Sequence, residues 1–162
     1  MLGASSAKTR PKHEDVARLK RAVQEFTRSF GLLVTKQTPC GLPVSPSYAH
    51  CLMLLLERER QALQTSQSEI GEQLTIDKSN IARLCRKLEK AGHASQQRDP
   101  DDGRGRLVEL TGKGRRMAER LEAASDERFL RVLEAVPTAQ RPQLLASLTL
   151  LIEAVGALDG AE

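Results

Sequence analysis

Residues 66–92, SQSEIGEQLTIDKSNIARLCRKLEKAG, restrict the fold more than any other part of this chain. Ser66 and Glu69 have the spacing of a capping box, in which each side chain accepts the other residue's backbone N–H at a helix start. The helix they open ends near Leu74. Asp77 is placed to cap a second helix running through Ala91, and Gly92 to stop it. The two helices are joined by a tight turn, residues 74–77, which is the outline of a helix-turn-helix. On the second helix Ile81, Leu84, Cys85 and Leu88 recur at i, i+3, i+4 and i+7, which makes one buried face. Ser79, Arg83, Arg86, Lys87 and Lys90 gather on the opposite side, with Asn80 at its margin.

That exposed face has the chemistry of a major-groove reader. Arginine bonds guanine through two donors, and asparagine matches adenine through one donor and one acceptor. Serine reaches a base edge or a phosphate, while Lys87 and Lys90 offer charge to the backbone. A solvated basic face has the same composition. The short helix and tight turn in front of it favour the nucleic-acid reading, and the net charge of +4 is compatible with it.

Downstream lies RDPDDGRGRLVELT, residues 98–111. Counted from Asp99 as a calcium loop, it puts Gly103, Arg104 and Leu110 where an acid, a glycine and a glutamate are required. Gly112-Lys113 lacks both the leading glycine and the trailing hydroxyl of a phosphate loop. What remains is a hairpin of two short strands, residues 94–98 and 106–110. After a helix-turn-helix such a hairpin is a wing with a basic tip, Arg104, which Asp102 can brace by a charge-assisted hydrogen bond.

The rest of the chain is helical. Hydrophobic residues make up 40% but aromatics only 2%, so the core must be built from Leu, Val, Ile and Ala. Val16, Leu19, Val23, Phe26, Phe30 and Leu33 step by 3, 4, 3, 4 and 3 along a first helix that starts near Glu14. Three prolines and a glycine make residues 35–47 a loop, and a second helix follows over about 48–61. Thr111 caps a long helix to about Val136. A last helix over about 139–158 carries Leu144, Leu148, Leu151, Val155 and Leu158 at steps of 4, 3, 4 and 3. Each seam suits a helix packed lengthwise on another, within the chain or across subunits.

The Asp-Lys-Ser-Asn helix start at residues 77–80, Leu-Glu-Lys-Ala-Gly at its end, Arg-Asp-Pro-Asp-Asp before the tip, the Asp102/Arg104 pair and Leu-Thr-x-x-Gly at 110–114 together resemble the MarR family of bacterial winged-helix regulators. The resemblance is specific over about residues 66–116, and beyond them it is one of helix order. It implies a mostly α protein with a small β wing: a winged helix-turn-helix DNA-binding lobe over 46–111, and a helical dimerisation layer from 13–34 and 112–162, behind a basic tail of residues 1–12. It implies a homodimer on double-stranded DNA, at a pseudo-palindromic operator, with repression the expected sign. Carried over by position, Ser79, Asn80 and Arg83 are base-reading candidates and Arg104 the wing tip. Arg86 lies on the same face; Arg106 and Lys87 are phosphate candidates. Ser66 and Ser68 are placed to donate to phosphate from a helix start. One departure stands out. Where the family places an apolar strand, this chain has His93-Ala94-Ser95-Gln96-Gln97, which predicts a short or weakly packed first wing strand. Gly103 and Gly105 predict a loose tip until DNA orders it.

Members of the family release DNA on binding small aromatic or lipophilic compounds, or on thiol oxidation. Phe26, Phe30 and Tyr48 are pocket candidates here, with core packing the plainer reading of the two phenylalanines. Cys40, His50 and Cys51 are the thiol or metal candidates, led by Cys40; Cys85 reads as core. The interval from Cys40 to Cys51 does not match a zinc site, and no metal or cofactor is expected. His13, His50 and His93 have no acid or nucleophile at motif spacing, which argues against an enzyme. The three cysteines, the absence of an apolar leader in MLGASSAKTRPKH and the absence of an uninterrupted membrane-length run point to the cytoplasm. The competing class is a winged-helix module that binds a protein partner without an operator.

Overall fold

The structure is a computed structural model and describes residues 10–159 apart from 101, 102 and 104. The expected wing brace Asp102 and wing tip Arg104 therefore lie outside the described residues, as does most of the basic tail. Helices α1 (His13–Phe30), α2 (Pro46–Arg60), α3 (Gln67–Leu74) and α4 (Lys78–Lys90) are followed by strands β1 (Ala94–Arg98) and β2 (Arg106–Leu110). Helix α5 (Gly112–Glu134), a 3-10 turn (Thr138–Gln140) and α6 (Arg141–Asp159) come last. The fold is mostly helical with a two-stranded wing, as the sequence implied.

Local chemistry sets the helix-turn-helix. The Ser66 hydroxyl accepts from Glu69 N at 3.2 Å, and the Glu69 carboxylate accepts from Ser66 N at 2.7 Å. Thr75 ends α3 in the left-handed region at φ 53°. The chain then doubles back so closely that Ile76 N donates to Gly71 O at 2.8 Å. A Cβ on Gly71 would stand 3.0 Å from Ile76 O, which is why a small residue sits there. Gly92, at φ +71°, terminates α4 as predicted.

The core lies between α2, α4 and the first half of α5. Leu52, Leu55 and Leu56 of α2 meet Ile70 of α3, the Ile81–Leu84–Cys85–Leu88 face of α4, Val108 of β2, and Ala118 and Leu121 of α5. Two ion pairs also join α2 to α5, Arg60 with Glu122 at 2.7 Å and Arg115 with Glu59 at 2.6 Å. Both are half-exposed and contribute little beyond fixing the crossing.

The wing keeps the expected strand range. β1 is five residues long and pairs antiparallel with β2 from Ala94↔Leu110 to Arg98↔Arg106 without a break. Ala94 is buried, and Gln96 makes good the missing apolar face with hydrogen bonds. Its side chain accepts from Gln67 Nε2 of α3 and donates to Glu89 of α4 at 2.9 Å. Val108 N donates to Thr65 O at 2.9 Å, which ties the hairpin to the start of α3.

The Leu-Thr-x-x-Gly motif has a physical reason. Thr111 donates its N–H to His93 O at 3.1 Å and its hydroxyl to Gly92 O at 2.7 Å, while that hydroxyl accepts from Gly114 N at 3.0 Å. Helix α5 thus starts against the backbone that ends α4. A Cβ at Gly114 would fall 1.7 Å from His93 O, so only glycine fits.

Helices α1 and α6 behave differently. α1 contains no buried residue. Val16, Leu19, Val23 and Phe26 are 45–53% exposed, and Leu33, which lies beyond the helix end, is 67% exposed. Leu148, Val155 and Leu158 of α6 are also exposed. Thr138–Leu158 is long and apolar enough to cross a membrane by length and composition, with mean hydropathy 1.2. Scattered polar residues such as Arg141, Gln143 and Glu153 keep it from being an uninterrupted apolar run.

Candidate nucleic-acid interface

Asp77 caps α4 and turns its first residues outward. Ser79, Asn80, Arg83, Arg86, Lys87 and Lys90 are all exposed along one side of the helix, opposite the buried Ile81–Leu88 face. Arg86 Nε donates to Ala82 O at 3.3 Å, which lays its guanidinium along the helix. Lys87 Nζ stands 5.5 Å from the centre of the Tyr48 ring, a cation–π contact that anchors its stem.

A cleft of about 850 Å³ runs beside α4. The start of α3, the turn and the wing line it, bringing Ser66, Ser68 and Arg106 to one place. Lys78 lines it as well. Sequence reasoning did not single out Lys78, although it stands inside the Asp-Lys-Ser-Asn motif. Ser66 is half-buried because its hydroxyl is committed to the capping box, whereas Ser68 is exposed. The Ser66 N–H, with Arg58 at 3.0 Å, also holds Glu69 below the usual carboxylate range, so the box stays ionised. The cleft thus brings together the start of α3, the start of α4 and the base of the wing.

The MarR-family model matches residues 42–105, the stretch that holds α2, α3, α4 and the start of the wing. HTH-type transcriptional regulator YdgJ of Bacillus subtilis is 34% identical over 104 residues. Over this stretch the chain is similar to the MarR family. The YdgJ match takes in 63% of this chain and spans 59% of the length of YdgJ. Staphylococcus aureus MepR in its DNA complex superposes with a TM-score of 0.62 at 18% identity, over 90% of this chain and 99% of MepR. PcaV of Streptomyces coelicolor, solved with its natural ligand, superposes with a TM-score of 0.56 at 24% identity, over 95% and 99% of the two chains.

The sensor candidates divide into two groups. Phe30, Cys40 and His50 share an apolar pocket of about 100 Å³ with Met53, Leu121, Arg128 and Phe129. Phe26 stacks on Phe30, with centroids 5.1 Å apart, behind the pocket wall. The Arg128 guanidinium lies 4.8 Å from the Phe30 ring centre, and its buried Nε has no hydrogen-bond partner among the described residues.

Tyr48 and Cys51 are elsewhere. Tyr48 is buried, with its hydroxyl 2.6 Å from His93 Nδ1. Cys51 packs beside Cys85 in the core, and that thiol, with burial, pushes the Cys51 thiol up. A protonated, inaccessible thiol is a poor nucleophile, so Cys51 is not placed to sense oxidants. Among the described residues no cluster of three or more His, Cys, Asp or Glu could hold a metal ion.

Proposed function

We propose that this chain is a DNA-binding transcriptional regulator that works as a homodimer in the cytoplasm and represses from a pseudo-palindromic operator. The observation that carries the reading is the exposed face of α4, with Ser79, Arg83, Arg86 and Lys87 clear of the core and Ser68, Lys78 and Arg106 beside it. A helix so presented enters a major groove, and the flanking cations meet phosphate. The bare apolar faces of α1 and α6 are covered by those of a second copy, which sets two recognition helices for two half-sites. Lipid is not needed to explain α6. The fold shared with DNA-bound MepR supports the same reading.

Mobility shift against the DNA upstream of the gene tests it. Arg83→Ala should cost about 1–3 kcal/mol and relax preference at one or two base positions. Lys87→Ala should weaken binding to every sequence alike. Equal sequence preference in both variants would contradict these roles.

Release of DNA is assigned to the pocket beside Phe30. Its aromatic wall and the unpartnered Arg128 Nε suit a small aromatic acid, with the carboxylate meeting the guanidinium. PcaV, solved with its natural ligand, supports a ligand-bound state for this fold. Cys40 lines the same pocket, half-exposed, and gives oxidation a second route to it. A titration of benzoate-type acids that leaves the DNA complex unchanged would count against the ligand assignment.

A further inference from the structure

Three candidate base readers are hydrogen-bonded to one another through Asp77. One Asp77 carboxylate oxygen accepts from Ser79 N at 3.1 Å, the Ser79 hydroxyl at 2.8 Å and Asn80 N at 3.0 Å. The other accepts from the Asn80 side-chain amide. Asn80 Oδ1 in turn accepts from Arg83 Nη2. We propose that Asp77 and Asn80 form a positioning relay that fixes how Arg83 meets a base, so that Asn80 sets sequence preference through Arg83 and does not itself read a base. The proposal rests on the regulator reading above.

The chemistry of the groups enforces the arrangement. An ionised carboxylate only accepts, so it takes the NH₂ end of the Asn80 amide and turns Oδ1 towards Arg83. The reverse orientation would set Oδ1 against the carboxylate, acceptor against acceptor. Asp77 stays ionised at any working pH, because the Asn80 backbone N–H, the Ser79 hydroxyl and the Asn80 amide bring it down to about 2. The Asn80 amide is turned towards Asp77 and Arg83, with one N–H and one lone pair left over. Arg83 spends one N–H of its five, which leaves a full donor pair for guanine O6 and N7. A long, exposed side chain that would otherwise lose rotamer freedom on binding is held in place beforehand.

The test is selection from a duplex library randomised over the half-site, at low salt, with the full-length chain. Wild type, Arg83→Ala, Asn80→Ala, the double variant and Asp77→Asn are compared by discrimination at each base position. Asparagine caps a helix as well as aspartate does, so Asp77→Asn retains helical circular dichroism. Arg83→Ala should lose about tenfold discrimination at one or two positions. Asn80→Ala and Asp77→Asn should lose roughly fivefold at those same positions, and the double variant no more than Arg83→Ala alone. If Asn80→Ala loses discrimination at a position that Arg83→Ala leaves intact, or weakens all sequences uniformly, the relay is wrong and the regulator reading stands. If the wild type enriches no sequence, the regulator reading falls, and the relay with it.

Discussion

The recognition lobe and the terminal helices carry the same kind of apolar periodicity and end in opposite states. In α4 the residues Ile81, Leu84, Cys85 and Leu88 are covered by α2, α3 and the wing of the same chain. In α1 the residues Val16, Leu19, Val23 and Phe26, equally regular in spacing, face outward. Periodicity therefore shows that a face must be covered without showing which chain covers it. Short links decide the matter in the lobe: the turn after α3 and the start of α5 on the His93 carbonyl force the elements together. α1 and α6 have no such constraint, and each leaves seam residues exposed.

A charge in an open seam should have the largest effect. Val23→Glu combined with Leu148→Glu would bury unpaired carboxylates in the proposed dimer, at about 3–5 kcal/mol for each. Sedimentation should show a monomer whose lobe still melts cooperatively. A dimer that persists would place the subunit contact elsewhere. Next is Gly114→Ala, which acts on the closed region. Its methyl group meets the His93 carbonyl, so the lobe should lose about 1–3 kcal/mol or more on thermal melting while dimer contacts remain. An unchanged melting temperature would remove the close approach from the explanation.

The smallest effect belongs to His93, at the junction of α4 and the wing. Burial first, and then the charge of Lys113, hold its imidazole below the ordinary value. The unfolded chain therefore takes up this proton more readily, and stability supplied above about pH 6.5 is lost as the pH falls below it. Melting temperature should drop between pH 7 and pH 5, and less steeply in His93→Gln. Parallel profiles in the two proteins would exclude His93 as the titrating group.

Much of the lobe was legible in the sequence because its signals are local. Both caps, the Gly92 stop and both strand ranges follow from residues within four positions of each other. α2 begins at Pro46, ahead of the predicted start, because a proline in a loop-like run also fits the first turn of a helix that Ser45 caps. What was hidden depends on distant partners. The Tyr48 hydroxyl meets His93, 45 residues away, so its pocket reading had no local warning. The polar run in β1 looked like weak packing because Gln67 and Glu89, which satisfy Gln96, are far off in sequence. Residue type shows what the Asn80 side chain can bond, but not that Asp77 and Arg83 hold it.

In the proposed complex α4 meets DNA as one of a symmetric pair. Fluorescence anisotropy of a labelled upstream duplex, titrated with the full-length chain across a salt series, tests it most directly. Two chains per duplex and a log-log salt slope of roughly −5 to −9, from about six to ten phosphate contacts in the dimer, are expected. Binding that ignores salt, or a failure to bind at the lowest salt, would contradict it.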